Sequence, residues 1–417
     1  MTDALVEVEP TTESETIRPF QFHASDADLA DLNRRIKATR WPDRELVADD
    51  TQGVQLATMQ ALAAYWGTEY DWRKIEARMN ALPQFVTEID GLDIHFIHVR
   101  SKHDGALPII ITHGWPGSII EQLKIIEPLT NPTEHGGTAG DAFHVVIPSL
   151  PGYGFSARPT TVGWNPPRIA RAWVTLMHRL GYDQFVAHGG DWGNAISELM
   201  ALDRPPGLLA IHTNMPATVP PHIAKALALH AQPPATLTPD ERSAWNQLVF
   251  FYSKGLGYAE EMNNRPQTLY ALSDSPIALA AWMLDHDARS EELIAGVFDG
   301  KPAGLTRDDV LDNITLYWLT NTGVSSGRLY WETAQLPAKG GFFDARGVKI
   351  PVAVSAFAGE IYTAPQSWAK SAYVNLIYYK RHDTGIHFAA WETPQLLSED
   401  VRVAFRPLRA QLTTRKS

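Results

Sequence analysis

The chain of 417 residues contains no cysteine. Disulfides, thiolate metal sites and cysteine nucleophiles are therefore excluded. It has no basic run and no aromatic–basic stripe, and its net charge is −11, a balance that argues against nucleic-acid binding. No stretch approaches the roughly 18 consecutive apolar residues that mark a membrane-spanning helix. Met1 to Pro10 is acidic and lacks an apolar core segment, so it does not read as a signal peptide. A soluble, cytoplasmic protein is expected, and no internal repeat or low-complexity block breaks that picture. His95 and His98 have a ligand-like spacing but no acidic cluster beside them, so neither a metal nor a cofactor is expected.

What is present is an ordinary globular composition, 44% hydrophobic and 20% charged, on a chain long enough for two or three units. Thirteen Trp and thirteen Tyr suit an aromatic-lined pocket or a large core equally. Residues 1–16 are polar and expected to be disordered. Residues 17–83 carry helical patterns, among them one capped by Ser25, but too few apolar positions for a core of their own. Residues 84–215 alternate short β-branched runs with helical segments. The run Pro108 to Thr112 is apolar throughout, as in a strand buried on both faces, and Asp90-Gly91 marks a hairpin. That alternation predicts an α/β fold with a mostly parallel sheet and helices on both faces. Residues 216–340 are helical and aromatic, a cap inserted after the sixth strand. The α/β pattern resumes over 341–417.

One stretch organises the rest. Phe185 to His188 reads as a strand, and Gly189-Gly190-Asp191-Trp192-Gly193 then turns sharply into a helical segment. Small residues two positions either side of a nucleophile mark a nucleophile elbow. Gly193 fits because glycine accepts close approach and strained backbone. A serine hydrolase would carry Ser at the apex, whereas this chain carries Asp191. A carboxylate that attacks a saturated carbon forms an ester, which water can cleave at the Asp carbonyl. Serine would leave an ether. Asp therefore suits electrophilic sp3 carbons, such as those of epoxides and alkyl halides. The competing reading is a glycine turn with an N-capping Asp.

In this topology an acid and then a histidine follow the nucleophile in chain order. Glu360 lies just after the run Ile350 to Phe357, and His387 lies in the loop after the last strand. Asp191, Glu360 and His387 each fall at the carboxyl end of a strand, where such sites gather. Asp383 is a rival acid but shares a loop with His387; His382 and His188 are weaker candidates for the base. An intermediate oxyanion needs two backbone donors. By position these are the N–H groups of Trp192 and of Trp115, the latter in His113-Gly114-Trp115-Pro116. A second elbow-like string, Gly323-Val324-Ser325-Ser326-Gly327, follows a helical pattern that Thr306 starts and Gly323 is expected to end. A serine elbow needs a strand before it, so this match is read as accidental. An epoxide also needs a proton donor for its oxygen, a task for phenols; the cap offers several.

Together these stretches resemble the epoxide hydrolases of the microsomal type, in the α/β-hydrolase fold, over nearly the whole chain. His113-Gly114-Trp115-Pro116-Gly117-Ser118 and Gly189-Gly190-Asp191-Trp192-Gly193 match two signature motifs of that family. Ile17 to Phe20 and Trp41-Pro42 look like its N-terminal region, which wraps core and cap. The stretches Gly257 to Glu261, Arg265-Pro266 and Leu272 to Pro276 look like its cap. The resemblance implies Tyr258 and Tyr330 as proton donors to the epoxide oxygen, with Glu360 and His387 as acid and base. It implies a small-molecule epoxide as substrate and no cofactor. The membrane anchor of the mammalian members is not matched. A haloalkane dehalogenase with the same Asp nucleophile and a non-catalytic ligand-binding protein on the same fold are the alternatives. The natural epoxide and the oligomeric state, a homo-oligomer included, stay open.

Overall fold

The computed structural model describes residues 16–301, 304–337, 343 and 347–414. All but one of the residues expected as a tail, 1–16, and the expected junction at 340/341 lie outside the described residues. Nine strands form one sheet: β1 (Arg18–Pro19), β2 (Gln84–Ile89), β3 (Leu92–Val99), β4 (Leu107–Thr112), β5 (Phe143–Pro148), β6 (Phe185–Gly189), β7 (Leu208–Thr213), β8 (Val352–Ala356) and β9 (Leu376–Arg381). Their order is β1-β2-β3-β5-β4-β6-β7-β8-β9. The first four in that order pair antiparallel, and the rest pair parallel. The β2–β3 turn takes positive φ at both Asp90 and Gly91, as a two-residue hairpin turn requires. The cap follows the seventh strand rather than the expected sixth, because Arg18–Pro19 pairs with β2 and counts as a strand of its own.

Strand β4 shows why the sheet needs cover on both sides. Ile109 and Ile111 point into the cluster built with the helices Ile119–Thr130 and Pro394–Thr414. Ile110 points the other way, towards Pro166–Arg179 and Trp192–Asp203. All three are fully buried, and each contributes roughly 1.5–3 kcal/mol by leaving water. An alternating burial of apolar residues on both faces is what a central parallel strand demands.

The N-terminal helices find their core elsewhere, as their sparse apolar faces predict. Leu32, Ile36, Met59, Leu62 and Trp66 are buried in the same cluster as Leu279, Met283 and Leu311 between β7 and β8. Trp72, Ile75 and Met79 join the opposite cluster. Ser25 caps the first helix by accepting from the Asp28 N–H. Tyr65 and Tyr70 donate to Asp308 and Asp312 at 2.8 and 2.9 Å, tying this segment to the helix Arg307–Thr320.

Between β7 and β8 every regular element among the described residues is a helix, from Pro221–Ala228 to Gly323–Ala334. One boundary differs from expectation. Asn321, not Gly323, ends Arg307–Thr320 by taking the left-handed conformation, which asparagine tolerates. Gly323 instead begins the next helix, Gly323–Ala334. The serine string Gly323 to Gly327 is thus helical, follows a helix and has no strand before it.

Candidate active site

The strand order reverses beside β4: β5 lies on one side and β6 on the other. The carboxyl ends of β4 and β6 meet there, with Thr112 opposite Gly189. A cleft at such a reversal is where ligands bind in open α/β sheets. Asp191 occupies the turn after β6 with φ 51° and ψ −127°. A side chain held at positive φ outside a glycine costs of order 1–3 kcal/mol, and such strain gathers at functional sites. Gly193 makes the turn feasible: a Cβ there would collide with the Thr112 carbonyl. The helix starts at Trp192, directly after Asp191.

The loop after β4 supplies the facing wall. The Trp115 N–H donates to Asp191 Oδ1 at 2.8 Å, and a Cβ on Gly114 would strike the Asp191 side chain. Buried groups fix this loop. His113 accepts from the Leu150 N–H at Nε2, which leaves Nδ1–H to bond the Gly114 carbonyl. Burial pushes its pKa down to about 4, so it stays neutral. From Arg307–Thr320, Asn313 donates to the Pro116 carbonyl at 2.8 Å and Tyr317 to the Gly117 carbonyl at 2.6 Å.

Glu360 and His387 converge on the same point. His387 Nδ1 lies 2.5 Å from Glu360 Oε1, and its Nε2 lies 3.6 Å from Asp191 Oδ2. The first is a short hydrogen bond; the second is too long for one but close for a charge pair. Asn214 Nδ2 bridges Glu360 Oε2 and the His387 carbonyl, each at 3.2 Å. Burial works against charge on His387, but the carboxylates of Glu360 and Asp191 outweigh it and hold its pKa well above the ordinary imidazole value. Asp191 is lowered in turn: burial opposes ionisation, and His387 overrides it, with smaller help from His286 and the Trp115 amide. Both shifts favour an imidazolium facing a carboxylate. Asp383 is exposed. His382 bonds Asp400 and His188 bonds His212; neither reaches the site.

Tyr258 and Tyr330 hang over the carboxylate from Gly257–Asn264 and Gly323–Ala334. Tyr258 stacks on Trp115 at 4.9 Å, and Tyr330 meets Trp192 edge-on at 4.8 Å. The two phenol rings are 6.0 Å apart. Burial raises both pKa values well above 10, helped by Asp191 at Tyr258 and by Tyr258 and then Asp191 at Tyr330. Both keep their protons in neutral water.

Two buried groups escaped sequence reasoning. His286, in the link between Pro276–Leu284 and Ala288–Phe298, brings a ligand atom within 4.8 Å of one on Asp191 and one on His387. A cation held by those three would tie up the Asp191 oxygen that faces His387, so the set reads as acid–base groups. Its flanking acids, Asp285 and Asp287, were the only sequence signal. Glu121 follows the His113 to Ser118 motif by one helical turn; burial pushes its carboxyl up to about 8. A cavity of about 400 Å³ opens beside the site, lined by Asn246, Gln247, Phe251, His286, Asp287 and Glu360. It reaches the acid and His286 rather than Asp191.

Comparison with known proteins agrees with this geometry. Residues 17–122 match the epoxide hydrolase N terminus and residues 108–298 the alpha/beta hydrolase fold. The chain is 35% identical to epoxide hydrolase 1 of Oryctolagus cuniculus, over 93% of this chain and 88% of that protein. This chain belongs to the epoxide hydrolase family. Its structure is similar to that of juvenile hormone epoxide hydrolase from the silkworm Bombyx mori, with a TM-score of 0.83 at 30% identity and 96% coverage of both chains. The Aspergillus niger epoxide hydrolase gives 0.78 at 31%, covering 95% of this chain and 98% of that one. The expected α/β-hydrolase fold is thus found in this enzyme. No helix among the described residues is long and apolar enough to cross a membrane.

Proposed function

We propose that this epoxide hydrolase converts a small-molecule epoxide and water to a vicinal diol through an ester on Asp191. The observation that carries this reading is the division of labour between the two oxygens of one carboxylate. Oδ1 is held by the Trp115 amide, and Oδ2 faces His387 and the site. In the first step Oδ2 attacks an epoxide carbon from the face opposite the ring oxygen. Tyr258 and Tyr330 hold that oxygen and protonate it. In the second step His387, oriented by Glu360, takes a proton from water, and the resulting hydroxide adds to Asp191 Cγ. Charge then develops on Oδ1, where the Trp115 and Trp192 amides stabilise it; such donors are typically worth 10²–10³ in rate.

The test is His387→Gln. It removes the base and leaves the nucleophile, so the first step proceeds and the second slows by roughly 10²–10⁴. Intact mass spectrometry should show the enzyme heavier by one substrate, with the added mass on Asp191. An enzyme that loses turnover and never carries the adduct contradicts this reading. A dehalogenase would need N–H donors cradling a halide, whereas two phenols face this carboxylate. Halide release from a haloalkane panel without diol formation from epoxides would favour that alternative.

A further inference from the structure

The two-step reading leaves a proton in the wrong place. Two carboxylates flank His387 and favour its imidazolium form, which cannot accept a proton from water. Ring opening forms the Asp191 Oδ2–carbon bond and breaks the epoxide carbon–oxygen bond, whose electron pair stays on oxygen. That oxygen takes a phenol proton, leaving a phenolate. His387 then holds one proton too many, and the phenol pair holds one too few. Moving one proton between them yields a neutral base and a neutral phenol. Water can then add its oxygen to Asp191 Cγ and give a proton to His387. The tetrahedral carbon expels the alcohol oxygen, which takes the remaining carboxyl proton. Asp191 returns as a carboxylate and His387 as an imidazolium, and the sum is epoxide plus water to diol.

We propose that His286, backed by Asp287, carries that proton from His387 to the phenol pair. Among the described residues its ring is the one that touches both ends: 4.8 Å from the His387 ring and 5.0 Å from the Tyr258 ring. Trp115 and Phe388, at 5.8 and 5.7 Å, close its other sides. The side chain is 1% exposed. Asp287 caps the helix Ala288–Phe298 by accepting from the Ser290 N–H with Oδ1. Its other oxygen accepts from His286 Nδ1 at 3.0 Å, so one helix cap fixes both the helix start and the imidazole. Nε2 is then the open valence, and it has no hydrogen-bond partner among the described residues. A buried polar atom without a partner costs about 1–3 kcal/mol. A shuttle repays that cost in function: Nε2 accepts the His387 proton and passes it to Tyr258. The Asp287 carboxylate, held low by its hydrogen bonds, stabilises the transient imidazolium. The charged and titratable groups around the ring are Asp191, His387, Tyr258, Tyr330, Asp285 and Asp287. Glu121 is another buried titratable group near the site, packed against Gly117.

The inference rests on the two-step reading, and the experiment separates the two. Single turnovers of wild type, His286→Phe, His286→Gln and Glu121→Gln are followed on one epoxide. Quenched intact mass reports the Asp191 adduct, and near-ultraviolet difference absorbance reports phenolate. Phe keeps the ring and Gln keeps a hydrogen bond, but neither carries a proton. Both should form the adduct within about threefold of the wild-type rate and hydrolyse it at least about tenfold more slowly. A phenolate band should grow and decay with the adduct. The relay is overturned if both variants hydrolyse at the wild-type rate, or if the adduct persists without a phenolate band. It is also overturned if Gln behaves as wild type while Phe is slow, or if only Glu121→Gln traps the phenolate. If Phe fails to fold, the Gln comparison carries the test. Failure of the two-step reading looks different: no enzyme, His387→Gln included, ever carries the adduct.

Discussion

Two buried histidine–carboxylate clusters lie near the parallel strand ends of this protein, and they differ in what their atoms have left to bond. Around Asp400 both carboxylate oxygens are taken. Its carboxylate, fully buried, accepts from Ser355 Oγ at 2.6 Å and Tyr378 OH at 2.8 Å and pairs with His382 at 2.6 Å and Lys380 at 3.2 Å. Ser355 continues to His212 and His188. Burial holds both of these imidazoles far below the usual value, so both stay neutral. Around Asp191 the same residue types stand with capacity to spare. Oδ2 faces its base at 3.6 Å rather than bonding it, and His286 Nε2 and the Tyr153 hydroxyl have no partner among the described residues. Histidine, carboxylate and burial are common to both clusters. Of these two clusters, only the one around Asp191 has unpartnered buried atoms among the described residues, as a site that must bond a substrate requires.

Exchanging the two aspartates for alanine should separate these roles. Asp191→Ala removes the nucleophile, and kcat should fall by roughly 10⁴ or more, while the melting temperature falls by less than in the second variant. Asp400→Ala strands His382, Lys380 and Tyr378 around a lost charge, and should cost about 3–5 kcal/mol of stability. Its kcat on the folded fraction should stay within about threefold of wild type. Denaturant melts beside diol assays read both. Equal loss of activity in the two variants would erase the distinction.

Glu121 sharpens the comparison at smaller scale. The folded chain keeps its carboxyl proton up to about pH 8, whereas an ordinary carboxyl releases it near 4.5. Between those values the folded state binds the extra proton, so stability falls as pH rises, with a limiting slope of about 1.4 kcal/mol per unit. Glu121→Gln should flatten the stability profile across that window. An unchanged slope would mean the carboxyl is ionised in the fold.

Asp191, Glu360 and His387 were legible as candidates because each is tied to a local signal: glycine spacing for Asp191, and a strand end in the right order for Glu360 and His387. The serine string Gly323 to Gly327 was dismissed on the same grounds, and helix Gly323–Ala334 bears that out. Tyr258 and Tyr330 could be named only through resemblance, since they meet above Asp191 from helices far apart in the chain. His286 and Glu121 were not legible. Their meaning lies in burial and in neighbours from other elements, which no periodicity reports. Gly323 was misread because asparagine shares glycine's access to the left-handed helix end, and Asn321 lay two residues earlier.

The most direct measurement is a single turnover in heavy-oxygen water with enzyme in excess over the epoxide. Attack by Asp191 puts one of its own oxygens into the first diol and a heavy oxygen into the carboxylate that remains. The expected result is an unlabelled diol and a labelled Asp191 peptide. A diol labelled on the first turnover, with Asp191 left unlabelled, would show that water opens the ring directly and that no ester forms.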